Sequence, residues 1–309
     1  MSLVINHNLM AMNAQRNLSD HYGRLGVSTR RLSSGLRVGT AADDAAGLAI
    51  RELMRSEISS LHQGVRNASD AISLIQTADG ALQVIDEKLI RMKELAMQAS
   101  TGTYNSDQRL IIDSEYQAMS SEITRIANAT DFNGIYLLNG NLSGDPVADH
   151  DGTGLQSTGP LKIHFGTGND CAEDYYYVAI QGSSASSFGL GQSAALVSSG
   201  TTWEAQNAGK SISTQGLAQA AMEAINNAII SKDKIRANLG SMQNRLENTI
   251  TNLEIQAENL QAAESRISDV DVAQEMTEFV RNQILTQSAV AMLAQANSLP
   301  RMAMQLIGG

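Results

Sequence analysis

Apolar residues between positions 58 and 99 recur in alternating steps of three and four, the spacing of a helix that pairs with another helix in a coiled coil. The stripe consists of Ile58, Leu61, Val65, Ala68, Ile72, Ile75, Ala78, Leu82, Ile85, Leu89, Met92, Ala96 and Ala99. Two consecutive steps of three, from Ile72 through Ile75 to Ala78, predict a stammer, a local overwinding of the supercoil. Because so long a helix cannot bury its stripe alone, the chain must supply a partner of similar length.

A second heptad track near the other end of the chain provides that partner. It runs through Leu239, Met242, Leu246, Thr249, Leu253, Gln256, Leu260, Ala263 and Ile267. The two tracks are joined through a short middle segment, so antiparallel pairing is expected. A third amphipathic helix is predicted over residues 106–129, and it ends at the turn 130–134. Its apolar positions are Leu110, Ile111, Met119, Ile123 and Ile126.

The middle of the chain has turn and strand chemistry. There is no proline before Pro146 and none between Pro160 and Pro300, so both arms permit long helices. Residues 161–165 alternate apolar and polar side chains, a glycine-rich turn follows, and residues 175–180 complete a predicted β-hairpin. The indicated fold class is mainly α, a long antiparallel coiled-coil helical rod with a small β-hairpin segment.

The two outermost segments, residues 3–36 and 272–307, carry apolar positions at helical spacing. These are Leu18, Leu25 and Leu32 in the first segment, and Val272, Met276, Phe279, Val280, Ile284, Leu285, Met292, Leu293 and Leu306 in the second. Burying one such side chain contributes about 1.5–3 kcal/mol, whereas ordering the backbone costs about 1–2 kcal/mol per residue. An isolated pair of such helices is marginal, so the ends are expected to order against other molecules.

Composition excludes several classes of protein. The net charge of -10 argues against nonspecific nucleic-acid binding, and no apolar run reaches the length of about 18 residues that a membrane span needs. A single cysteine, Cys171, permits no internal disulfide. Residues 1–18 lack the pattern of a cleavable signal peptide, so an exported chain is expected to use a route that reads an uncleaved sequence.

No residue pattern indicates catalysis, a cofactor or a metal. The segment 149–151, Asp-His-Asp, is more typical of a solvated loop than of a metal site. The Gly-Thr-Gly at 166–168 leads into a strand rather than a helix, which favours a hairpin turn over a phosphate loop. Asp43 and Asp44 are better explained as caps of a helix that starts near residue 45 than as an acid–base pair. An enzyme is therefore the least favoured class.

Long motifs at both ends resemble the bacterial flagellin family. In the N-terminal arm they are Leu32–Arg37, Ala41–Ile50, Asn67–Asp70 and Ile75–Leu82. In the C-terminal arm they are Leu239–Leu246, Ala263–Ile267, Gln283–Leu285 and Val290–Asn297. The resemblance covers roughly residues 1–140 and 210–309, and the middle is similar to the small hairpin of the family.

The resemblance implies discontinuous domains built from both chain ends. Residues 1–44 and 270–309 would form a terminal inner-core helical domain. Residues 45–140 and 206–269 would form the helical rod, or outer-core domain, and residues 141–205 a β-hairpin and short variable region. The implied function is a structural subunit that self-polymerises into the extracellular flagellar filament for swimming motility.

The family also implies partners and a route. A flagellin leaves the cell through the flagellar type III secretion channel and meets an export chaperone and the filament cap and junction proteins. A hook–filament junction protein, which shares the terminal pattern, and a secreted coiled-coil adhesin, with a binding surface in residues 145–200, are the alternatives. Purified filaments in high copy number would distinguish a filament subunit from a junction protein.

One further implication concerns host recognition. From the residues alone, Arg91 and Leu95 share one face of the first helix, off its apolar seam, as an ordinary solvated surface. Flagellins that bind Toll-like receptor 5 use an arginine and a leucine four residues apart and a glutamate on the next helix. The matching positions are Arg91, Leu95 and Glu115, which the resemblance therefore implies to be receptor-binding residues.

Overall fold

The computed structural model describes residues 8–143, 159–170, 173–190 and 210–307. Helices within these ranges are α1 (Leu9–Ser34), α2 (Ala45–Ser100), α3 (Ser106–Ala129), α4 (Gln215–Ser268) and α5 (Val272–Ile307). Short strands are β1 (Asp131–Phe132), β2 (Ile135–Tyr136), β3 (Leu161–His164) and β4 (Tyr175–Val178). The chain divides into two compact units, residues 1–59 with 257–309, and residues 60–256.

Helix α2 begins where the sequence predicts a cap. The Asp44 carboxylate accepts a hydrogen bond from the Gly47 backbone N–H at 2.9 Å, the geometry of a helix N-cap. Asp43 does not cap the helix, because its carboxylate accepts hydrogen bonds from Thr40 and pairs with Arg30 at 2.8 Å. The hydrogen bonds from Thr40 lower the pKa of Asp43. From this start α2 continues without proline for 56 residues.

The seam of α2 in the second unit is an uninterrupted heptad repeat. Its buried positions are Leu61, Gly64, Ala68, Ala71, Ile75, Ala78, Leu82, Ile85, Leu89, Met92, Ala96 and Ala99. The predicted stammer is wrong, because Ala71 rather than Ile72 occupies the seam, and Gly64 rather than Val65. The prediction assigned the seam to large apolar side chains, so it chose Val65 and Ile72 instead of their small neighbours Gly64 and Ala71. Small residues occupy the seam where another backbone approaches closely.

Helix α4 pairs with α2 in antiparallel orientation, as predicted. Arg236 Nε lies 2.7 Å from Asp79 Oδ1, and Lys232 Nζ lies 2.7 Å from Asp86 Oδ1. Residue numbers therefore decrease along α4 in the direction in which they increase along α2. The α4 track begins well before residue 239, with Ala218, Ala221, Ile225, Ala228, Lys232 and Ile235. Gln256, predicted to fill a polar track position, is exposed, and the neighbouring Ala257 is buried instead.

Helix α3 covers another side of α2 and has the predicted bounds. A capping box between Asn105 and Gln108 starts it. Its buried face comprises Ile112, Tyr116, Ser120, Ile123 and Ala127. Leu110 and Ile111, predicted to be on the apolar face, are 56% and 70% exposed, because that face is centred on the next residue along the helix.

Two antiparallel hairpins follow α3 in the chain. Asn133 and Gly134, both with positive φ (51° and 82°), form the tight turn between β1 and β2. The hairpin of β3 and β4, predicted from the sequence, pairs Leu161 with Val178 and His164 with Tyr175. Its inner face packs into the hydrophobic core of the second unit.

In the first unit, α1 and α5 form an antiparallel pair. The Asn8 side chain donates to the Ala296 carbonyl at 2.8 Å, and Arg31 pairs with Glu275 at 3.6 Å near the opposite end of α1. Helix α1 ends at Gly35, whose φ of 72° provides a left-handed C-cap. The two outermost segments are therefore partners within one chain.

Candidate interaction surfaces

The inner face of the α1–α5 pair is built from small, polar and a few large apolar side chains. On α1 the half-buried or buried positions include Ala11, Ala14, Leu18, His21, Leu25, Ser28 and Leu32. On α5 they are Glu275, Phe279, Asn282, Thr286, Ala289, Leu293 and Ala296. Both sets follow steps of three and four, so the helices meet along a heptad seam. The predicted repeat of Leu18, Leu25 and Leu32 belongs to this seam.

The outward faces of the same helices carry most of their large apolar side chains. On α1 they are Leu9 (63% exposed), Met10 (50%), Met12 (57%) and Tyr22 (56%). On α5 they are Val272, Met276, Val280, Ile284, Leu285, Val290, Met292 and Met302, between 37% and 65% exposed. Exposed apolar areas of this extent mark surfaces that another molecule covers. We call these residues the outer apolar faces.

The segment between α1 and α2 ties the two chain ends together. Leu36 forms an antiparallel β-bridge with Asp269, and the Arg37 N–H donates to the Ser268 carbonyl at 2.7 Å. The guanidinium of Arg51, only 7% exposed, donates to the Val38 carbonyl at 2.6 Å. These contacts give a physical role to the Leu-Ser-Ser-Gly-Leu-Arg motif and to its counterpart before residue 270.

Arg91 and Glu115 meet on the surface of the second unit. The Arg91 guanidinium donates to Glu115 Oε1 from Nε (3.0 Å) and Nη2 (2.7 Å), and from Nη1 to Glu94 Oε2 (3.0 Å). Both side chains are nearly half exposed, at 49% and 44%. The hydrogen bonds that Arg91 donates to the Glu115 carboxylate are the main cause that raises the pKa of Arg91. The structure therefore brings two of the three sequence-predicted receptor residues into direct contact.

Leu95, the third, is buried. Its side chain is 1% exposed and belongs to the hydrophobic core. The prediction that it lies on a solvated face off the seam is wrong, because α3 packs beside α2 there, as the bond from Arg109 Nε to the Ala99 carbonyl (3.0 Å) shows. With neighbours on two sides, α2 buries both Leu95 and Ala96 in the same turn.

A second set of charged residues, which the sequence motifs do not single out, consists of Lys232 and Arg236 on α4 with Asp79 and Asp86 on α2. Their signal is visible in retrospect, because the two acids are one heptad apart and the lysine falls on an apolar track.

The Gly166–Gly168 turn, in contrast, is as predicted. Its Gly168 N–H donates to Asp174 Oδ1 at 3.1 Å, so a carboxylate of the chain itself closes the hairpin turn.

Within the described residues, no group of three or more His, Cys, Asp or Glu side chains could hold a metal ion. In the same part of the chain, no helix combines the length and the apolar character that crossing a membrane requires. Residues 149–151 and Cys171 lie outside the described residues.

Long helices that pair along heptad seams, with exposed apolar side chains on the terminal helices, are typical of helical structural proteins that assemble into larger structures. Family models agree: the bacterial flagellin N-terminal helical region matches residues 5–143, and the bacterial flagellin C-terminal helical region matches residues 222–307. The chain belongs to the bacterial flagellin family.

Its relatives match along nearly their whole length. A flagellin of Halalkalibacterium halodurans is 41% identical over 99% of this chain and 100% of its own. A flagellin of Bacillus subtilis is 41% identical over 98% of this chain and 99% of its own. The crystal structure of Bacillus cereus flagellin is similar with 28% identity and a TM-score of 0.44, covering 64% of this chain and 94% of that one.

Family membership establishes the role of the chain. It is a structural subunit that polymerises into the bacterial flagellar filament, the organelle of motility. With 309 residues it is a short flagellin with a reduced variable region.

Proposed function

We propose that the outer apolar faces of α1 and α5 are the surfaces through which this subunit polymerises, each being covered by neighbouring copies of the chain. The observation that carries this is the distribution of side chains across the helix pair. Polar Ser28, Asn282 and Thr286 are buried within the pair, whereas large apolar side chains point outward. Burial of each large side chain contributes about 1.5–3 kcal/mol, so neighbours in a filament stabilise a pair that is marginal alone.

Substitutions on one outer face test this. Val280→Gln together with Ile284→Gln should abolish polymerisation while leaving the helicity of the monomer unchanged, because both side chains are exposed, at 44% and 57%. Arg281→Gln with Ser288→Gln, two exposed polar positions of the same helix, is the matched control. Sedimentation after salt-induced assembly measures the outcome, and normal filaments from the apolar-face variant would refute the proposal.

Deletion of either end gives a coarser test of the same idea. A chain lacking residues 1–36 or 273–309 should stay soluble and helical, since the α2–α4 seam of the second unit does not include those residues. It should not polymerise. Filaments of either truncated chain, seen by negative-stain microscopy, would show that the terminal helices do not drive assembly.

The domain boundaries proposed for this assembly follow the helix ends. Residues 1–44 with 270–309 would be the inner-core domain, and 45–140 with 206–269 the outer-core domain, with 141–205 attached to it. In support, α2 begins at residue 45 and α5 at residue 272. Limited proteolysis of the monomer should cut first inside the inner-core segments, at sites such as Arg16, Arg24 and Arg281. Initial cleavage inside α2 would contradict these boundaries.

The subunit is proposed to act without catalysis or cofactor. It would be exported through the flagellar secretion channel with its N-terminal segment uncleaved, and meet an export chaperone, the filament cap and the junction proteins. Membership in a family of filament proteins supports this route. N-terminal sequencing of shed filaments tests it, and a mature start beyond residue 20 would contradict it.

A second proposed function is recognition by Toll-like receptor 5 through Arg91 and Glu115, with Leu95 packed beneath them. Arg91 and Glu115 are exposed and present a preformed, charge-assisted pair. Leu95, being buried, supports the surface that carries them.

Receptor signalling by purified monomers tests this second function. Arg91→Ala and Glu115→Ala should each weaken signalling at unchanged helicity. Arg125→Ala is the control, because Arg125 is 65% exposed in a comparable surface pair with Glu122. Equal signalling by the Arg91→Ala/Glu115→Ala variant and the wild type would refute this site.

A further inference from the structure

A lysine lies in the apolar seam of the second unit. Lys232 occupies a track position of α4, and its side chain is only 2% exposed. The ammonium lies 2.7 Å from Asp86 Oδ1 on α2 and 2.7 Å from Asp233 Oδ1 on its own helix. A buried ammonium is tolerated only when it is paired, and removing its partner leaves an uncompensated charge. Asp233 is 58% exposed and lies on the same helix as Lys232, so it keeps its place beside the lysine in any register, whereas Asp86 is the partner that a change of register would move away.

One helical turn away, a second ion pair joins the same two helices. Arg236 binds both carboxylate oxygens of Asp79, from Nε at 2.7 Å and from Nη2 at 3.2 Å. Asp79 and Asp86 are separated by one heptad of α2. The two pairs together thus connect two acids and two cations at fixed heights along the seam.

The apolar character of the seam does not by itself define the register of the two helices. Every α2 seam position from Ala68 to Ala99 is Ala, Ile, Leu or Met. A slip by one heptad would therefore again place apolar residues opposite apolar residues. Polar residues at single seam positions are the usual means by which a coiled coil excludes such alternatives.

The charged residues distinguish the native register from a slip in either direction. A slip that brings Asp86 opposite Arg236 also brings Lys93 opposite the buried Lys232. The two like charges would then repel each other in the seam. The opposite slip brings Asp79 to Lys232 but leaves Arg236 without an acid.

After that opposite slip, Arg236 would face Ile72, so its charge would lose its partner. Only the native register satisfies both cations. We propose that the Lys232–Asp86 and Arg236–Asp79 pairs determine the register in which α2 and α4 pair. This assignment goes beyond the filament role and does not depend on which surfaces the filament buries.

Distances between spin labels at positions 83 and 234 test the register. Both residues are exposed and lie between the two ion pairs, so a slip in either direction lengthens their separation. A heptad slip displaces the helices by about 10 Å along their axes. The labels are attached to Gln83→Cys and Lys234→Cys in a Cys171→Ser background, and the full chain is refolded from urea before measurement.

Two variants should change the distance distribution. Lys232→Met with Arg236→Gln, which removes both cations, should add a second, longer distance to the native one. Ile72→Asp with Asp86→Asn moves the acid pair back by one heptad, and it should make the longer distance dominant.

The control removes an ion pair between two residues of the same helix. Glu122→Gln with Arg125→Gln eliminates an exposed pair within α3 and should keep the single native distance. A single native distance in both seam variants would overturn the proposal and assign the register to the hairpin, which contacts α2 at Gly64 and Asn67.

Discussion

At the scale of single residues, Gly64 shows how a small side chain can be a packing requirement. A Cβ at this position would lie 2.0 Å from the Phe165 carbonyl oxygen, so the hairpin backbone rests directly on α2. Asn67, one turn later, donates to the His164 carbonyl at 2.8 Å. Tyr176 of the same hairpin stacks under the Arg245 guanidinium of α4 at 3.6 Å. The hairpin therefore contacts both helices of the seam.

Replacing this glycine should destabilise the protein. Gly64→Ala is expected to lower the free energy of unfolding by about 1–3 kcal/mol, because backbone atoms must move to relieve the overlap. Gly80→Ala in the same helix is the control, since no atom lies within 4 Å of its added Cβ. It should raise stability by up to about 1 kcal/mol through helix propensity alone. Urea unfolding measures both, and equal effects at the two sites would contradict the close contact.

Leu95 gives a second residue-scale prediction, which separates core packing from surface recognition. Leu95→Ala should cost about 2–5 kcal/mol in unfolding free energy, because the side chain is fully buried. Met97→Ala, at a position 66% exposed two residues later, should change stability by less than about 0.5 kcal/mol. Thermal unfolding of both variants decides it. A loss below 1 kcal/mol at Leu95 would mean that α3 does not cover this part of α2.

Burial of single residues was harder to predict from the sequence than their periodicity. The seam through Leu82, Ile85 and Leu89 follows from spacing alone. The burial of Leu95 does not follow from spacing. It depends on which side of α2 the third helix packs against, and the spacing of apolar residues in α2 does not indicate that side. Lys232 was missed for a related reason, because a lysine on a heptad track is ordinarily a break in the track rather than part of it.

At the scale of elements, helix bounds follow closely from capping chemistry and from the absence of proline. Helix α3 starts after Asn105 and ends before the turn at Asn133 and Gly134, as local signals require. Which side of α3 faces the core could not be derived in the same way. Leu110 and Ile111 look like core residues in the sequence, yet the helix turns them outward, because Ile112 and Tyr116 face the core instead.

The β3–β4 hairpin should be sensitive to acid. The Asp174 carboxylate accepts the N–H groups of Asp170 and Gly168, and the bond from Asp170 is the main cause that lowers its pKa. A lowered pKa in the folded state means that this stabilisation is complete above the ordinary value of about 3.9. It is lost as the pH falls through the folded-state value.

Amide exchange at β4 between pH 6 and pH 3 measures this effect. Protection of the hairpin should fall at the acid end in the wild type, and Asp174→Asn should remove most of that pH dependence. Glu173→Gln, an exposed neighbour, should behave as the wild type does. An unchanged acid response in Asp174→Asn would exclude the carboxylate as its origin.

At the scale of the whole molecule, the informative feature is the contrast between the two helix pairs. In the second unit, α2 and α4 bury their apolar seam within one chain. In the first unit, α1 and α5 pair through a seam that contains Ser28, Asn282 and Thr286, and they leave apolar side chains outside. The sequence predicts the apolar stripes of the ends, but only the structure shows which side of each helix is already occupied.

In the proposed filament, neighbouring subunits cover the outer apolar faces. The native methionines of these faces measure this coverage directly, because peroxide converts an accessible methionine to its sulfoxide. Met10, Met12, Met276 and Met292 are each at least 44% exposed in the single chain. Met92, fully buried in the second unit, is the internal reference.

Oxidation of each methionine is quantified by mass spectrometry in monomers and in assembled filaments at equal peroxide exposure. We expect the four terminal methionines to oxidise readily in the monomer and to become protected several-fold on assembly, while Met92 stays unreactive in both states. Equal oxidation of the terminal methionines in monomer and filament would contradict it.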